Sequence, residues 1–198
     1  MAIIVDKVQK RRDIALSCKT LVTTYGIRDL TISQLAKAAG VGKGTMYDYF
    51  TNKEDIVFEI VTIMMKEHNA KKEKELAHFS STKEKIKVFF NFFYSQEDEA
   101  LRALYKEFIS ISLTHPNEEM IDFQTTCFET YHQWFEQLLK EGIERGEILS
   151  IATNFTNGLF ATVEGLFITS VATKVIDDVK KEIDLYIDTL FELIEVKK

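Results

Sequence analysis

Lys43-Gly44-Thr45-Met46-Tyr47 is the stretch of this chain whose residue types suit contact with a polyanion. A lysine, small residues and a tyrosine on one short helix make a surface fit to enter a DNA groove. Elsewhere the chemistry-bearing residues do not converge. His68, His78, His115 and His132 lack metal-ligand spacing, and Cys18 and Cys127 stand far apart. The sequence contains no nucleophile elbow, phosphate-binding glycine loop or carboxylate pair. The expectation is a binding protein and not an enzyme, with no metal and no cofactor. Each cysteine falls on an apolar helical face, which predicts a buried thiol, with a redox sensor as the lesser alternative.

Those five residues need a frame, and residues 30–55 supply one. Thr31 and Gln34 have capping-box spacing, with Leu30 and Leu35 placed as a hydrophobic staple around the same helix start. Leu35, Ala36 and Ala39 form one short apolar face, and Gly40 can leave the helix in the left-handed conformation. A second short helix follows with Met46, Tyr47 and Phe50. Two short helices joined by a tight glycine-containing turn describe a helix-turn-helix.

The 198 residues, 45% hydrophobic and 28% charged, are ordinary for a soluble globular chain. One proline and eight glycines argue for an all-α fold. A net charge of −6 looks wrong for a nucleic-acid binder until it is divided by position. Residues 1–54 carry nine Lys/Arg against five acids, a local balance of +4 that leaves −10 for the rest. The N-terminal segment is the one suited to phosphates. The opening apolar run is too short for a signal peptide, and no stretch approaches the ~20 apolar residues of a membrane span, so a cytoplasmic protein is expected.

Helical periodicity predicts a first helix over Lys7–Thr24, with Ile14, Ala15, Cys18, Leu21, Val22 and Tyr25 inward and Gly26 as its stop. Its basic start (Lys7, Lys10, Arg11, Arg12) suits a phosphate backbone or simply solvent. Thr51 or Asn52 caps a fourth helix that runs unbroken to about Ala77. Further helices follow over the Phe-rich middle, from Asn117 to Arg145, over 153–173, and after Asp177 or Asp178. The expected layout is about nine helices: a three-helix DNA-binding domain at 1–52, then a helical effector-binding and dimerisation domain at 53–198.

Residues 7–56 resemble the DNA-binding domain of the tetracycline-repressor (TetR/AcrR-like) family of bacterial transcription regulators. The matching pieces are Gly26, Leu30-Thr31-Ile32, Leu35-Ala36, Ala39-Gly40-Val41, Gly44-Thr45-Met46-Tyr47, Tyr49-Phe50 and Asn52-Lys53-Glu54. Beyond residue 60 the resemblance is architectural only. It implies a homodimer whose two recognition helices enter successive major grooves of a pseudo-palindromic double-stranded operator. It also implies that Lys43, Gly44 and Thr45 look into the groove: Lys43 toward a guanine edge or a phosphate, Thr45 toward a base, with Gly44 allowing close approach. Tyr47, Tyr49 and Lys53 match positions that grip phosphates, and Ser33 is a weaker contact candidate. Met46 and Phe50 are expected in the core. Two residues depart from the pattern. Gly42 stands where the family often has Ser, and Asp48 puts a negative charge beside the DNA-facing surface, where solvent is its expected neighbour.

In the distal part, Phe89, Phe93, Phe108, Phe128, Tyr131, Phe160 and Phe167 on facing helices would line a mostly apolar pocket for a small molecule. Cys127, His132, Thr162 and Glu164 are its polar candidates. An aromatic stripe at helical spacing is more often plain core, and that reading stays open. Glu164 is alone in charge on its helix, so it must be paired, neutralised, facing a ligand, or crossing a subunit interface. Helices 153–173 and 177–196 are the expected dimer seam. The first carries a small-residue stripe (Gly158, Ala161, Gly165, Ala172) flanked by Leu159, Val163, Leu166 and Val171, and the last has a stripe of Val179, Ile183, Tyr186, Ile187, Leu190 and Ile194. The expected function is a repressor released from its operator by a small hydrophobic effector. The alternative is a DNA-bound scaffold that recruits a protein partner.

Overall fold

The computed structural model describes residues 6–197, so the apolar opening run lies largely outside the described residues. The fold is all-α, with nine α-helices and three short 3-10 segments among the described residues. The helices are α1 (Lys7–Tyr25), α2 (Ile32–Ala38), α3 (Lys43–Tyr47), α4 (Lys53–Leu76), α5 (Thr82–Phe89), α6 (Glu99–Thr114), α7 (Glu118–Glu144), α8 (Thr156–Ala172) and α9 (Val179–Ile194). Two compact units are built from them, and neither is continuous in sequence. Of the described residues, the first comprises 6–68 and 100–124, the second 69–99 and 125–197.

In the first unit, Asp6 caps α1 by accepting from the amides of Val8 and Gln9. Gly26 ends the helix at φ +76°, a conformation that favours glycine. Ile14, Ala15, Cys18 and Val22 form the buried face. Tyr25, expected inward, is exposed, because its position closes the last turn on the solvent side. Asn52 starts α4 by accepting from Asp55 N at 2.7 Å. Ile56, Val57, Ile60, Ile63 and Met64 then bury the inner side of that helix. Asn117 caps α7 by accepting from Met120 N at 2.7 Å. Phe58, Phe108 and Phe123, one each from α4, α6 and α7, form a ring cluster with centroids 4.6–6.0 Å apart.

The second unit is centred on rings and aliphatic chains from α5, α7, α8 and α9. The aromatic run after α5 tightens into a 3-10 segment at Phe90–Phe93, although its spacing reads as continuous α-helix. Phe89 and Phe90 meet Phe135 and Phe160 at 5.2–6.0 Å. Glu147 ties the loop after α7 to the start of α5, accepting from Thr82 N and Thr82 Oγ1 at 2.7 Å and from Arg145 Nε at 2.6 Å. Burial works against its charge, but these donors outweigh it and hold the carboxyl at about 2.

Two sequence expectations change here. The α9 residues Ile183, Ile187, Leu190 and Ile194 face the core of their own unit, so that stripe is consumed within one chain. On α8 the expected Gly158, Ala161, Val171 and Ala172 stay outward and Ile168 joins them, while the expected Leu159 and Val163 are buried; α9 leaves Leu185 and Leu193 outward. The second change concerns Ser150–Ala172, a 23-residue helical run with mean hydropathy 1.2, which is long and apolar enough to cross a membrane by length and composition. The run is not one regular helix. A 3-10 segment at Ser150–Phe155 precedes α8, and Leu159, Val163 and Phe167 are buried in the protein core.

Candidate nucleic-acid interface

The interface begins with how α2 and α3 are held. Thr31 Oγ1 accepts from Gln34 N at 3.3 Å while Gln34 Oε1 accepts from Thr31 N at 2.9 Å, which completes the capping box. Leu30 and Leu35 are both buried beside it, as a staple requires. At the other end Gly40 adopts φ +65°. Val41 N reaches Ala36 O at 3.0 Å and Gly40 N reaches Lys37 O at 3.2 Å, the paired bonds of a Schellman turn. Four residues, 39–42, therefore separate the two helices.

The face of α3 follows from its length. Met46 and Phe50 are buried to 0% and 1% exposure, each burial worth roughly 1.5–3 kcal/mol. One turn apart on the opposite side, Lys43 and Tyr47 are outward, with Tyr47 53% exposed. Gly44 and Ser33 are exposed as well, and Thr45 and Tyr49 are half-buried. Asp48 is exposed at the C-terminal end of α3. Gly42 occupies the N-cap and offers no side-chain acceptor, so α3 begins without a side-chain cap. Behind α2, the Cys18 thiol donates to Leu35 O at 3.4 Å, and burial pushes its pKa to about 11. It is a packing residue.

Two basic side chains that sequence alone would offer to phosphates are engaged inside the unit. Arg11 donates to Asp55 Oδ1 at 2.6 Å, to Glu59 Oε2 at 3.0 Å and to the Tyr49 carbonyl, with its guanidinium 4.4 Å from the Phe50 ring centre. Burial opposes the charges of Arg11 and Asp55, yet their mutual hydrogen bond prevails and draws the Asp55 carboxyl below its usual range. Lys53 Nζ donates to the carbonyls of Ile27 at 2.9 Å, Arg28 at 3.0 Å and Leu30 at 3.2 Å. All three ammonium hydrogens are thereby accounted for by the turn between α1 and α2.

The same turn is gripped by a residue with no sequence signal. Glu107, on α6, accepts from Ile27 N at 2.6 Å and Arg28 N at 3.1 Å through one carboxylate oxygen. Close by, Arg28 donates to Thr114 Oγ1 at 3.1 Å. An open groove of ≈ 400 Å³ runs alongside, lined by Ile27, Arg28, Lys53, Glu54, Ile111, His115 and Asn117.

Of the aromatic residues expected around a small-molecule pocket, Phe108 belongs to the first unit, with Phe58 and Phe123. Phe89, Phe93, Cys127, Phe128, Tyr131, Phe160, Glu164 and Phe167 belong to the second. There Phe93 and Phe167 pair at 5.3 Å, and Phe128 and Phe160 at 5.6 Å. Phe89 meets Tyr131 at 6.3 Å, and Tyr131 donates to Asn69 Oδ1 at 2.8 Å. Burial raises the pKa of Tyr131 and lifts that of Cys127 to about 11. Glu164 is half-buried on α8. Thr162 donates to the Tyr186 hydroxyl at 3.4 Å, and His132 meets Asn157 Oδ1 at 2.8 Å.

Residues 19–60 match the family model described as bacterial regulatory proteins, tetR family. A curated relative, the fatty acid metabolism regulator protein of Bacillus subtilis (strain 168), is 28% identical over 130 residues, which is 65% of this chain and 65% of that protein. The match thus spans just under two thirds of the relative's length. Among solved structures, a TetR-family transcriptional regulator from Cytophaga hutchinsonii superposes with a TM-score of 0.78 at 19% identity, covering 98% of this chain and 99% of that one. The transcriptional regulator FadR from Bacillus subtilis, in complex with stearoyl-CoA, gives 0.68 at 23% identity, covering 90% and 96%. At these identities the structural likeness establishes the shared fold.

Proposed function

We propose, for a chain that belongs to the TetR/AcrR family of DNA-binding transcriptional regulators, the role of a homodimeric repressor released from a pseudo-palindromic operator by a hydrophobic effector. The family's members regulate transcription and are not enzymes. The observation that carries the reading is the division of α3, with Lys43, Gly44 and Tyr47 outward and Met46 and Phe50 buried behind them. Lys43, Gly44 and Thr45 read base edges in the major groove. Tyr47, Tyr49 and Ser33 contact the backbone, and Lys53 adds positive charge there while its hydrogens hold the turn.

Two copies are joined through α8 and α9, using the outward Gly158, Ala161, Ile168 and Ala172 with Leu185 and Leu193. An unpartnered apolar face of this kind, repeated by a two-fold axis, makes an isologous contact. The effector site lies among Phe89, Phe93, Phe128, Tyr131, Phe160 and Phe167, with Cys127 and Glu164 as polar neighbours. These apolar side chains suit the alkyl tail of a long-chain acyl thioester. The curated relative's role in fatty acid metabolism and the stearoyl-CoA held by the Bacillus subtilis FadR structure support this class of ligand.

The test is selection of duplexes from a randomised pool by the purified protein at low salt, followed by a mobility-shift titration with stearoyl-CoA and with coenzyme A alone. Recovery of a palindromic duplex that stearoyl-CoA releases, and coenzyme A does not, is the expected result. Failure to recover any duplex defeats the DNA-binding role. Recovery without release by acyl thioesters defeats the choice of effector.

A further inference from the structure

The turn between α1 and α2 is bound on both kinds of backbone group by side chains of opposite charge. The Glu107 carboxylate takes the amides of Ile27 and Arg28, and the Lys53 ammonium takes the carbonyls of Ile27, Arg28 and Leu30. Gly26 stands at φ +76°, which favours glycine, and a β-carbon there would lie 2.8 Å from Glu107 Oε2, so the carboxylate sits close against this backbone and would have to shift for any larger residue. Thr31, whose hydroxyl caps α2, follows Leu30 directly. A displacement of this turn therefore moves the first residue of the helix-turn-helix.

We propose that Glu107 is a positioning residue for DNA recognition. From α6, 80 residues along the chain, it fixes the turn that sets where α2 begins and so how α3 is presented. This role rests on the DNA-binding reading of the first unit. Glu107 is an acid and makes no favourable contact with a phosphate, so its contribution is separable from that of the contacting residues. Losing a phosphate contact lowers the salt dependence of binding, whereas losing a positioning contact weakens binding equally at every salt concentration.

The experiment uses the full chain as wild type, Glu107→Ala and Glu107→Gln, with folding checked by circular dichroism. The probe is the duplex that wild type selects from a randomised pool. In Glu107→Ala, amide exchange at Ile27 and Arg28 accelerates while that of Ala15 and Cys18 in the middle of α1 does not. Binding weakens about tenfold with an unchanged salt slope, a step within the usual range for coupled sites. Glu107→Gln keeps the accepting oxygen and recovers most of both losses. Should the alanine variant not fold, Glu107→Asp, charged but one methylene shorter, changes exchange and affinity in the same direction. Folded variants with unaltered exchange and affinity overturn the role. So does a loss accompanied by a shallower salt slope, or a glutamine variant no better than alanine. A wild type that selects no duplex refutes the DNA-binding reading and this role with it. A wild type that binds while Glu107→Ala binds equally well refutes the positioning role alone.

Discussion

Arg11 Nη2 lies 2.6 Å from Asp55 Oδ1, which joins the first helix to the opening turn of the fourth. Both side chains are about three-quarters buried, and the hydrogen bond from Arg11 draws the Asp55 carboxyl below its usual range in spite of that burial. Its unfolded value is about 3.9. Because the folded pKa is the lower one, the stabilisation is fully present above about pH 4 and is lost as pH falls through the folded value. Asp55→Asn should cost about 1–3 kcal/mol at neutral pH. Urea unfolding at pH 7 and pH 3 checks this: the gap between wild type and variant narrows in acid, and a constant gap contradicts the assignment.

Gly42 offers a gain instead of a loss. It sits at the N-cap of α3 with φ −70° and ψ 153°, backbone angles that any residue adopts. A β-carbon there meets nothing closer than Thr45 Oγ1 at 3.9 Å. Gly42→Ser supplies the missing acceptor and restricts the unfolded chain, so it should stabilise the protein by about 0.5 kcal/mol. A thermal melt that shifts downward would show that the hydroxyl finds no amide.

Base reading and backbone gripping predict different signatures on α3. Lys43→Ala or Thr45→Ala should change which duplex is preferred, each at a cost of about 1–3 kcal/mol on the best site. Tyr47→Ala should weaken binding to all duplexes alike, because its exposed ring and hydroxyl serve a phosphate in the proposed arrangement. Selection from a randomised pool with each variant separates the two. Identical preferred sequences for all three would remove the division of labour.

The outward faces of α8 and α9 predict the oligomeric state. Ile168→Lys and Leu193→Lys fall on exposed positions, 39% and 69% accessible in the single chain, so neither disturbs the core of its unit. Together they should convert a dimer into monomers in sedimentation equilibrium while the thermal transition of the monomer stays within about 0.5 kcal/mol of that expected for surface changes. An intact dimer in the double variant would move the interface elsewhere.

Local signals carried the helix-turn-helix well. Thr31 and Gln34, Leu30 and Leu35, and Gly40 each act within one or two turns of chain, so their spacing states their partners. Periodicity found the apolar stripe of α9 but not its destination. Ile183, Ile187 and Ile194 read the same whether they meet their own core or a second copy, and only the packing of α5 and α8 against α9 decides. The duties of Arg11 and Lys53 were hidden for a related reason. A basic residue near a DNA-facing segment looks like a phosphate ligand until a carboxylate 44 residues away, or a set of turn carbonyls, is found beside it. Glu107 left no trace, because its partners are backbone amides 79 and 80 residues away.

Residues 147–149 and 194–196 pair as a short antiparallel rung. Leu149 N bonds to Ile194 O at 2.8 Å and Val196 N to Glu147 O at 2.9 Å, around the bridge of Ile148 with Glu195. Its consequence lies in synthesis. The second unit cannot finish closing until the ribosome has passed residue 196, whereas the segments of the first unit are complete by residue 124. A nascent chain halted before residue 183 would carry every segment of the first unit while the second stayed open, its core lacking Ile183, Ile187 and Phe191 and exposed to chaperones and proteases.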